Sequence, residues 1–200
     1  MTTPATSVYC NICNPFLYET AIMTNPALVK AHLQDTTDLY ADIANGTLPA
    51  VSFVKPGGLL DGHPESSKFG LFESFVHKLV DTVQRDPSLW ASTAILVTTD
   101  EGGGYYDSGY IQPLDFFGDG PRIPMIVVSP YSRGGRVVHQ YGDHASIVKF
   151  IDRNWHLKPI TERSRDNLPN PIQLQTHPYV PVNAPAIDDL FDAFEFPRTP

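Results

Sequence analysis

The chain has 200 residues, of which 42% are hydrophobic and 18% are charged, and its formal net charge is −8 at pH 7. This length is sufficient for one globular domain with a sizeable core. The negative charge and the absence of any lysine or arginine run exclude binding to nucleic acid, or to an anionic membrane surface, through bulk electrostatics. A phosphate-bearing ligand would therefore have to be held by local groups.

The sequence predicts no membrane span, and no export signal is visible in it. No apolar stretch approaches the ~20 residues needed to cross a bilayer, and Met1–Pro4 begins neither a charged nor an apolar leader region. Cys10 and Cys13 form a single C-x-x-C pair without the partner residues of a zinc or thioredoxin-type motif. The pair therefore predicts either a local disulfide or two free thiols, and the compartment stays open.

Helical and strand patterns alternate along the chain. In order, the sequence predicts a helix over 26–45, a strand over 50–54, a helix over 67–85, strands over 93–99 and 123–129, and a helix over 143–155. Asn25 is placed to cap the first helix, and Asn45–Gly46 is placed to end it. This alternation predicts an α/β fold with a parallel or mostly parallel sheet and helices on its faces.

Two segments lack a regular pattern. Residues 105–122 are rich in Gly, Pro, Asp and aromatic side chains, which is typical of a long loop at the rim of a site. Its aromatic residues either line a pocket or anchor the loop to the core. Beyond Leu157, frequent prolines predict a coil, with a short helix near 186–194.

Two adjacent carboxylates follow the strand over 93–99. Asp100 and Glu101 come where this apolar, β-branched run gives way to Gly102, Gly103 and Gly104. In open α/β sheets ligands collect outside the carboxyl ends of strands, and glycines there allow the backbone to approach a ligand closely. Carboxylate oxygens suit a hard metal ion. Taken alone, however, the same pattern is equally typical of a solvated turn.

Five segments together resemble the carboxyl-terminal half of a known family. They are LPAVSFVKP, GHPESS, ILVTTDEGGGYYD, GPRIPMIVVSPYSRGG and DHASIVKFIDRNW. In this order and spacing they resemble the phosphoesterase family that includes bacterial phospholipases C and acid phosphatases, over most of residues 8–171. The resemblance implies part of an alkaline-phosphatase-like α/β sandwich. It also implies metal-dependent hydrolysis of phosphate monoesters or phospholipids, and export of full-length members to the periplasm or medium.

The resemblance assigns roles to four residues. It marks Asp100 and Glu101 as ligands of a divalent metal ion, whose identity stays unknown. His63, in the His-Pro loop, would face the phosphate as a hydrogen-bond donor or general acid. His144 also matches a family position. The simpler alternatives are that His63 is a loop residue bonded to backbone and that His144 belongs to a helix-capping region.

The family pattern also indicates what is missing. In this family the amino-terminal half supplies a Ser or Thr nucleophile and further metal ligands, and no segment here carries those motifs. We therefore expect a fragment, a split gene product or a mis-assigned start, with 1–171 as the family part and 172–200 as a proline-rich tail. The alternatives are a catalytically inactive remnant, a fragment that binds a partner chain supplying the missing half, or a related reaction such as sulfate ester cleavage.

Four cations lie near predicted loop ends and could pair with a phosphate, because arginine does so through two hydrogen bonds. The simpler interpretation is that each is solvated at the surface. These residues are Lys55, Arg122, Arg133 and Arg136.

Overall fold

The computed structural model describes residues 9–196. Met1–Pro4 and the last four residues of the predicted tail lie outside the described residues. The chain divides into two compact units, of which the first ends at Thr93 and the second begins at Ala94. The boundary expected at 171–172 follows the family pattern and stays a prediction.

The regular elements of the first unit are helical throughout its described part. Its α-helices are α1 (Thr20–Met23), α2 (Pro26–His32), α3 (Thr36–Asn45), α4 (Phe69–Gln84) and α5 (Pro87–Trp90), preceded by 3-10 turns at Asn11–Cys13 and Pro15–Tyr18. The predicted helix over 67–85 is confirmed as α4. The predicted helix over 26–45 is instead two helices, because Asp35 and Asp38 form a capping box that starts α3 afresh.

The predicted cap and end of these helices are both observed. Asn25 Oδ1 accepts hydrogen bonds from the backbone N–H groups of Ala27 and Leu28 at 3.1 and 3.3 Å, at the start of α2. Gly46 ends α3 in the left-handed region, with φ at 68°, where a side chain would be strained. Local capping chemistry therefore sets the helix bounds.

Two other sequence expectations fall in this unit. The strand predicted over 50–54 is wrong, since these residues form no ladder with any described segment. A β-branched run becomes a strand only where a neighbour pairs with it. Cys10 and Cys13 form a disulfide, which decides between the two alternatives that the sequence left open.

The second unit contains one sheet among its described residues. Its strands are β1 (Ile95–Thr98) and β2 (Met125–Val128), which pair antiparallel, with Ile95 opposite Val128 and Thr98 opposite Met125. The two strand predictions are confirmed in place, but the parallel sheet is not. The connection over 99–124 contains no helix, and parallel neighbours need a crossover that is usually helical.

These strands are also less covered than expected. The apolar run over 93–99 predicted a strand buried on both faces, yet every residue of β1 is only half-buried. In β2, the side chain of Ile126 is 57% exposed. The mixed helix and strand composition fits an α/β fold, whereas the described sheet has only this one pair of strands.

The core of this unit forms between helix α6 (Ala145–Trp155) and the segment over 186–194. The rings of Phe150 and Phe194 stack at 5.1 Å, and Ile187 is fully buried. The predicted helix near 186–194 is only a 3-10 turn at Phe191–Ala193. The segment packs without forming a regular helix, because the side chain of Gln112 bonds both the N–H and the C=O of Ala186. None of the described helices is long and apolar enough to cross a membrane.

Candidate functional site

The carboxylate pair lies on an exposed turn after β1. The Glu101 carboxylate accepts the backbone N–H of Gly103 at 2.7 Å, and the Thr99 hydroxyl donates to the carbonyl of Glu101 at 3.0 Å. Gly103 and Gly104 have φ of 64° and 75°, a conformation that L side chains rarely adopt. The glycines are thus required to turn the chain back. As a result, Glu101 is partly engaged by its own turn, while Asp100 is exposed.

His144 contacts the same turn from the start of α6. Its Nε2 lies 2.9 Å from the carbonyl oxygen of Thr99, although the two residues are 45 positions apart. A carbonyl oxygen only accepts, so Nε2 is the donor and Nδ1 is the nitrogen left to accept or release a proton. Two segments that the sequence marked separately therefore meet at one place. His144 also occupies the N-cap position of α6, as the simpler alternative expected, although its side chain makes no capping hydrogen bond.

The residue before His144 is held by an ion-pair network centred on Arg165. The Arg165 guanidinium donates to Asp143 at 2.9 Å, to Asp119 at 3.2 Å and to Asp115 at 2.8 Å. Asp143 in turn accepts the backbone N–H of Ala145 at 2.8 Å in the first turn of α6. One cation thus fixes the start of α6 to the loop over 105–122.

The pKa values in this network follow from those contacts. Hydrogen bonds from Arg165 lower the pKa of Asp115, and the same bonds raise the pKa of Arg165. Burial, together with the neighbouring Asp119 carboxylate, raises the pKa of Tyr141 to about 12, and the Tyr141 hydroxyl donates to Asp119 at 2.9 Å. Asp115 and Arg165 therefore stay charged near neutral pH, and Tyr141 stays neutral. Sequence patterns gave no signal for Arg165, which lies two residues after Arg163 in an irregular, proline-rich stretch.

His63 lies in the first unit, in a loop that is fixed by its own hydrogen bonds. Its Nδ1 accepts the backbone N–H of Glu65 at 3.2 Å, so in the neutral ring the proton sits on Nε2. Asp61 accepts the backbone N–H of His63 and pairs with Lys55, both at 3.0 Å. Burial raises the pKa of Asp61, but these bonds outweigh it and lower the pKa overall. The exposed Nε2–H suits the donor role expected from the resemblance, which stays a prediction.

A metal ion needs more donors than this turn offers. Within residues 9–196, no three His, Cys, Asp or Glu side chains lie close enough together to hold an ion. Hard divalent cations take about six oxygen ligands or more. Asp100 and Glu101 therefore form at most part of a metal site. The described residues do not complete the metal site that the resemblance implies.

The remaining candidates divide between paired and exposed groups. Lys55 is neutralised by Asp61, and Arg122 binds Asp107 through several hydrogen bonds, the shortest at 2.6 Å. Neither cation is free for a phosphate.

On the loop over 105–122, Phe116 and Phe117 contact each other edge to face and are largely exposed. These two aromatic residues therefore do not anchor the loop.

The chain is similar in sequence to phosphoesterases and phospholipases C. A profile of the Phosphoesterase family matches residues 7–158. The chain is 30% identical over 145 residues to the non-hemolytic phospholipase C of Burkholderia pseudomallei, covering 59% of this chain and 20% of that protein. It is 35% identical over 144 residues to phospholipase C B of Mycobacterium tuberculosis, covering 57% of this chain and 26% of that protein.

The similarity extends to a plant protein. The non-specific phospholipase C1 of Arabidopsis thaliana is 28% identical over 130 residues, covering 53% of this chain and 24% of that protein. The chain thus matches about a fifth to a quarter of the length of these relatives. The matched region includes the turn at Asp100–Glu101, the His63 loop and His144. Because the family profile covers most of its length, this chain belongs to the phosphoesterase family.

Proposed function

We propose that this chain carries part of the active site of a phosphoric ester hydrolase that acts on phosphate monoesters or, in the manner of a phospholipase C, on phospholipids. The observation that carries the proposal is the contact between His144 Nε2 and the carbonyl of Thr99, which joins two family segments at the Asp100–Glu101 turn. Membership of the phosphoesterase family and the similarity to named phospholipases C support the same reaction class.

Each proposed role follows from the chemistry of the group. Hydrolysis of a phosphoric ester develops negative charge on the phosphoryl oxygens and requires a proton for the leaving oxygen. His144 has Nδ1 free for proton exchange, and His63 has an exposed Nε2–H. Asp100 and Glu101 are the proposed ligands of a divalent ion, which would neutralise phosphate charge when bound. We assign no nucleophile among the described residues.

The test is hydrolysis of an aryl phosphate, of phosphatidylcholine and of an aryl sulfate by the purified folded chain between pH 5 and 9. Chelator-sensitive turnover of a phosphate ester, with little turnover of the sulfate, would mean that a nucleophile lies within these 200 residues, whereas no turnover by the folded chain would favour an incomplete or inactive site. Asp100→Asn should abolish the activity, whereas Glu162→Gln, the loss of an exposed carboxylate elsewhere, should leave it unchanged. Normal turnover by Asp100→Asn would remove this carboxylate from the site.

A second candidate is a family member that is inactive by itself and binds a partner chain that completes the site. The observations that favour it are the partial set of metal ligands and the exposed apolar side chains, among them Phe53 and Ile126. In this case the isolated chain would associate or bind a partner through these residues and would show no turnover. A monomeric, cooperatively unfolding chain that hydrolyses phosphate esters would exclude this candidate.

A further inference from the structure

A polar pocket lies within the unit that begins at Ala94. It has a volume of about 200 Å³, and its polar lining comes from Arg133, Arg136, His139, Gln140, Gln173 and Asp192. None of the four residues to which the resemblance assigned roles lines it, whereas Arg133 and Arg136 are two of the cations that the sequence analysis considered as partners of a phosphate. Pockets for drug-sized ligands usually measure roughly 300–1,000 Å³, so this one suits a smaller ligand.

Neither arginine of this pocket forms a direct ion pair with a described residue, although the Asp192 carboxylate lines the same pocket. Arg122, Arg153 and Arg165 each form an ion pair with aspartate, whereas Arg133 and Arg136 have no carboxylate within pairing distance in residues 9–196. The Arg133 side chain is half-buried, and its Nε is buried without a hydrogen-bond partner in this part of the chain. A partly desolvated cation without a partner is costly, so an anion bound beside it would be stabilising.

The walls of the pocket are held in place before any ligand binds. The backbone N–H of Arg133 donates to the carbonyl of Ala193 at 2.9 Å, and Gln173 donates to the carbonyl of His139 at 2.6 Å. The His139 ring contacts Tyr179 edge to face, with centroids 5.1 Å apart. Three separate segments thus meet around the pocket. A preformed site loses little conformational entropy on binding.

We propose that this pocket binds a phosphate-type oxyanion, either free phosphate or the phosphate of a small ester. Guanidinium groups match phosphate oxygens through paired hydrogen bonds. Asp192 gives the pocket a selective element, because its carboxylate accepts a hydrogen bond from a P–OH group but repels an oxyanion that carries no proton. Sulfate has no proton near neutral pH and should therefore bind more weakly than phosphate. The site is independent of the proposed catalytic function.

The test is a nuclear magnetic resonance titration of the folded chain at pH 6 with inorganic phosphate, sulfate and glycerol 3-phosphate. We expect saturable shifts of the Arg133 and Arg136 signals and of the amides of 132–140, with phosphate binding more tightly than sulfate. Comparison of inorganic phosphate with glycerol 3-phosphate identifies the preferred source, while the phosphorus signal reports whether the ester stays intact. Tighter binding of inorganic phosphate or of glycerol 3-phosphate than of sulfate supports the proposed pocket.

Matched variants distinguish specific binding in the pocket from general attraction of an anion to positive charge. Arg136→Gln should weaken phosphate binding by roughly tenfold, as expected for losing a hydrogen bond to a charged group. Arg163→Gln removes the same charge from an exposed arginine outside the pocket and should have no effect. Asp192→Asn should abolish the preference for phosphate over sulfate, with Glu162→Gln as its control. Arg133→Gln should also weaken phosphate binding. If this variant fails to fold, Arg133→Lys keeps the charge and removes only the paired hydrogen bonds of the guanidinium group.

Three results would overturn the proposal. They are the absence of saturable binding, equal losses in Arg136→Gln and Arg163→Gln, and shifts confined to the Thr99–Gly104 turn and His144. The last result would place phosphate at the candidate catalytic site, so it would reject the pocket while supporting the proposed function. If the chain hydrolyses no ester but phosphate still binds at Arg133 and Arg136, the proposed function is rejected and the pocket is supported.

Discussion

Two parts of the second unit are both rich in aromatic residues but differ sharply in burial. Around α6, Phe150 and Phe194 are 9% and 3% exposed, whereas Phe116 and Phe117 on the loop over 105–122 are 95% and 89% exposed. The first part is held by apolar packing, and the loop is held by ion pairs to Arg122 and Arg165. The Thr99–Gly104 turn, which carries Asp100 and Glu101, leads directly into the loop over 105–122. The geometry of the turn therefore depends on the ion pairs that hold this loop more than on a hydrophobic core.

The largest contrast is expected from truncating one aromatic residue in each part. Phe150→Ala should lower the free energy of unfolding by about 4 kcal/mol, because it removes a core side chain that contacts Phe191 and Phe194. Phe116→Ala should change it by less than about 0.5 kcal/mol. Urea unfolding of both variants measures this difference. Similar losses would show that the loop is packed after all.

The next effect concerns the anchor of the loop. Arg165→Gln should lower the free energy of unfolding by about 2–3 kcal/mol, since Asp115, Asp119 and the mostly buried Asp143 would lose their common cation. Arg163→Gln is the matched control and should be neutral. The His144 ring signals should shift only in Arg165→Gln. Equal behaviour of the two variants would mean that the network does not position His144.

A smaller, pH-dependent effect is expected at Asp188, beside the core. Burial and the neighbouring Asp189 raise the pKa of this carboxyl from 3.8 to about 6. Between these values the folded state binds more protons than the unfolded state, so this group makes stability fall as pH rises from about 4 to 6.

Asp188→Asn should remove this contribution. The variant should match the natural chain near pH 3 and exceed its free energy of unfolding by about 3 kcal/mol at pH 7, given roughly 1.4 kcal/mol for each pKa unit. Unfolding curves at several pH values provide the measurement, and the exposed Glu162→Gln, which is not among the charges acting on Asp188, serves as the control. A gain that is the same at every pH would contradict the account.

The smallest effect is expected at the base of the loop. Arg122 binds Asp107 at the surface and keeps the pKa of that carboxyl well below its usual range. Arg122→Gln should leave the melting temperature almost unchanged, because exposed ion pairs contribute little to global stability. Amide hydrogen exchange over 103–122 should nevertheless become faster. Unchanged exchange there would show that other contacts hold the loop.

The sequence predicted those elements whose signals are local. The bounds of α4 and α6, the caps at Asn25 and Gly46, and the positions of β1 and β2 all follow from periodicity and capping residues. The strand over 50–54 and the parallel sheet failed for a common reason, since pairing depends on neighbours that a local pattern cannot specify.

The candidate site shows the same limit. The resemblance marked Asp100, Glu101, His63 and His144, but only the structure reveals that His144 contacts the carbonyl of Thr99. Arg165 gave no signal, because its role comes from three aspartates that are 22 to 50 positions away. Contacts of this kind depend on the folded backbone, so no residue spacing could have predicted them.

The most direct test of the account is a double-mutant cycle on aryl phosphate hydrolysis with Asp100→Asn, His144→Gln and the combined variant, using the exposed His32→Gln as a control. If the two residues form one site, each single change should lower kcat by about a hundredfold or more, and the double variant should lose far less than the product of both effects. Fully multiplicative losses, or normal turnover in either single variant, would contradict it, whereas no turnover by the folded natural chain would favour the candidate that needs a partner chain.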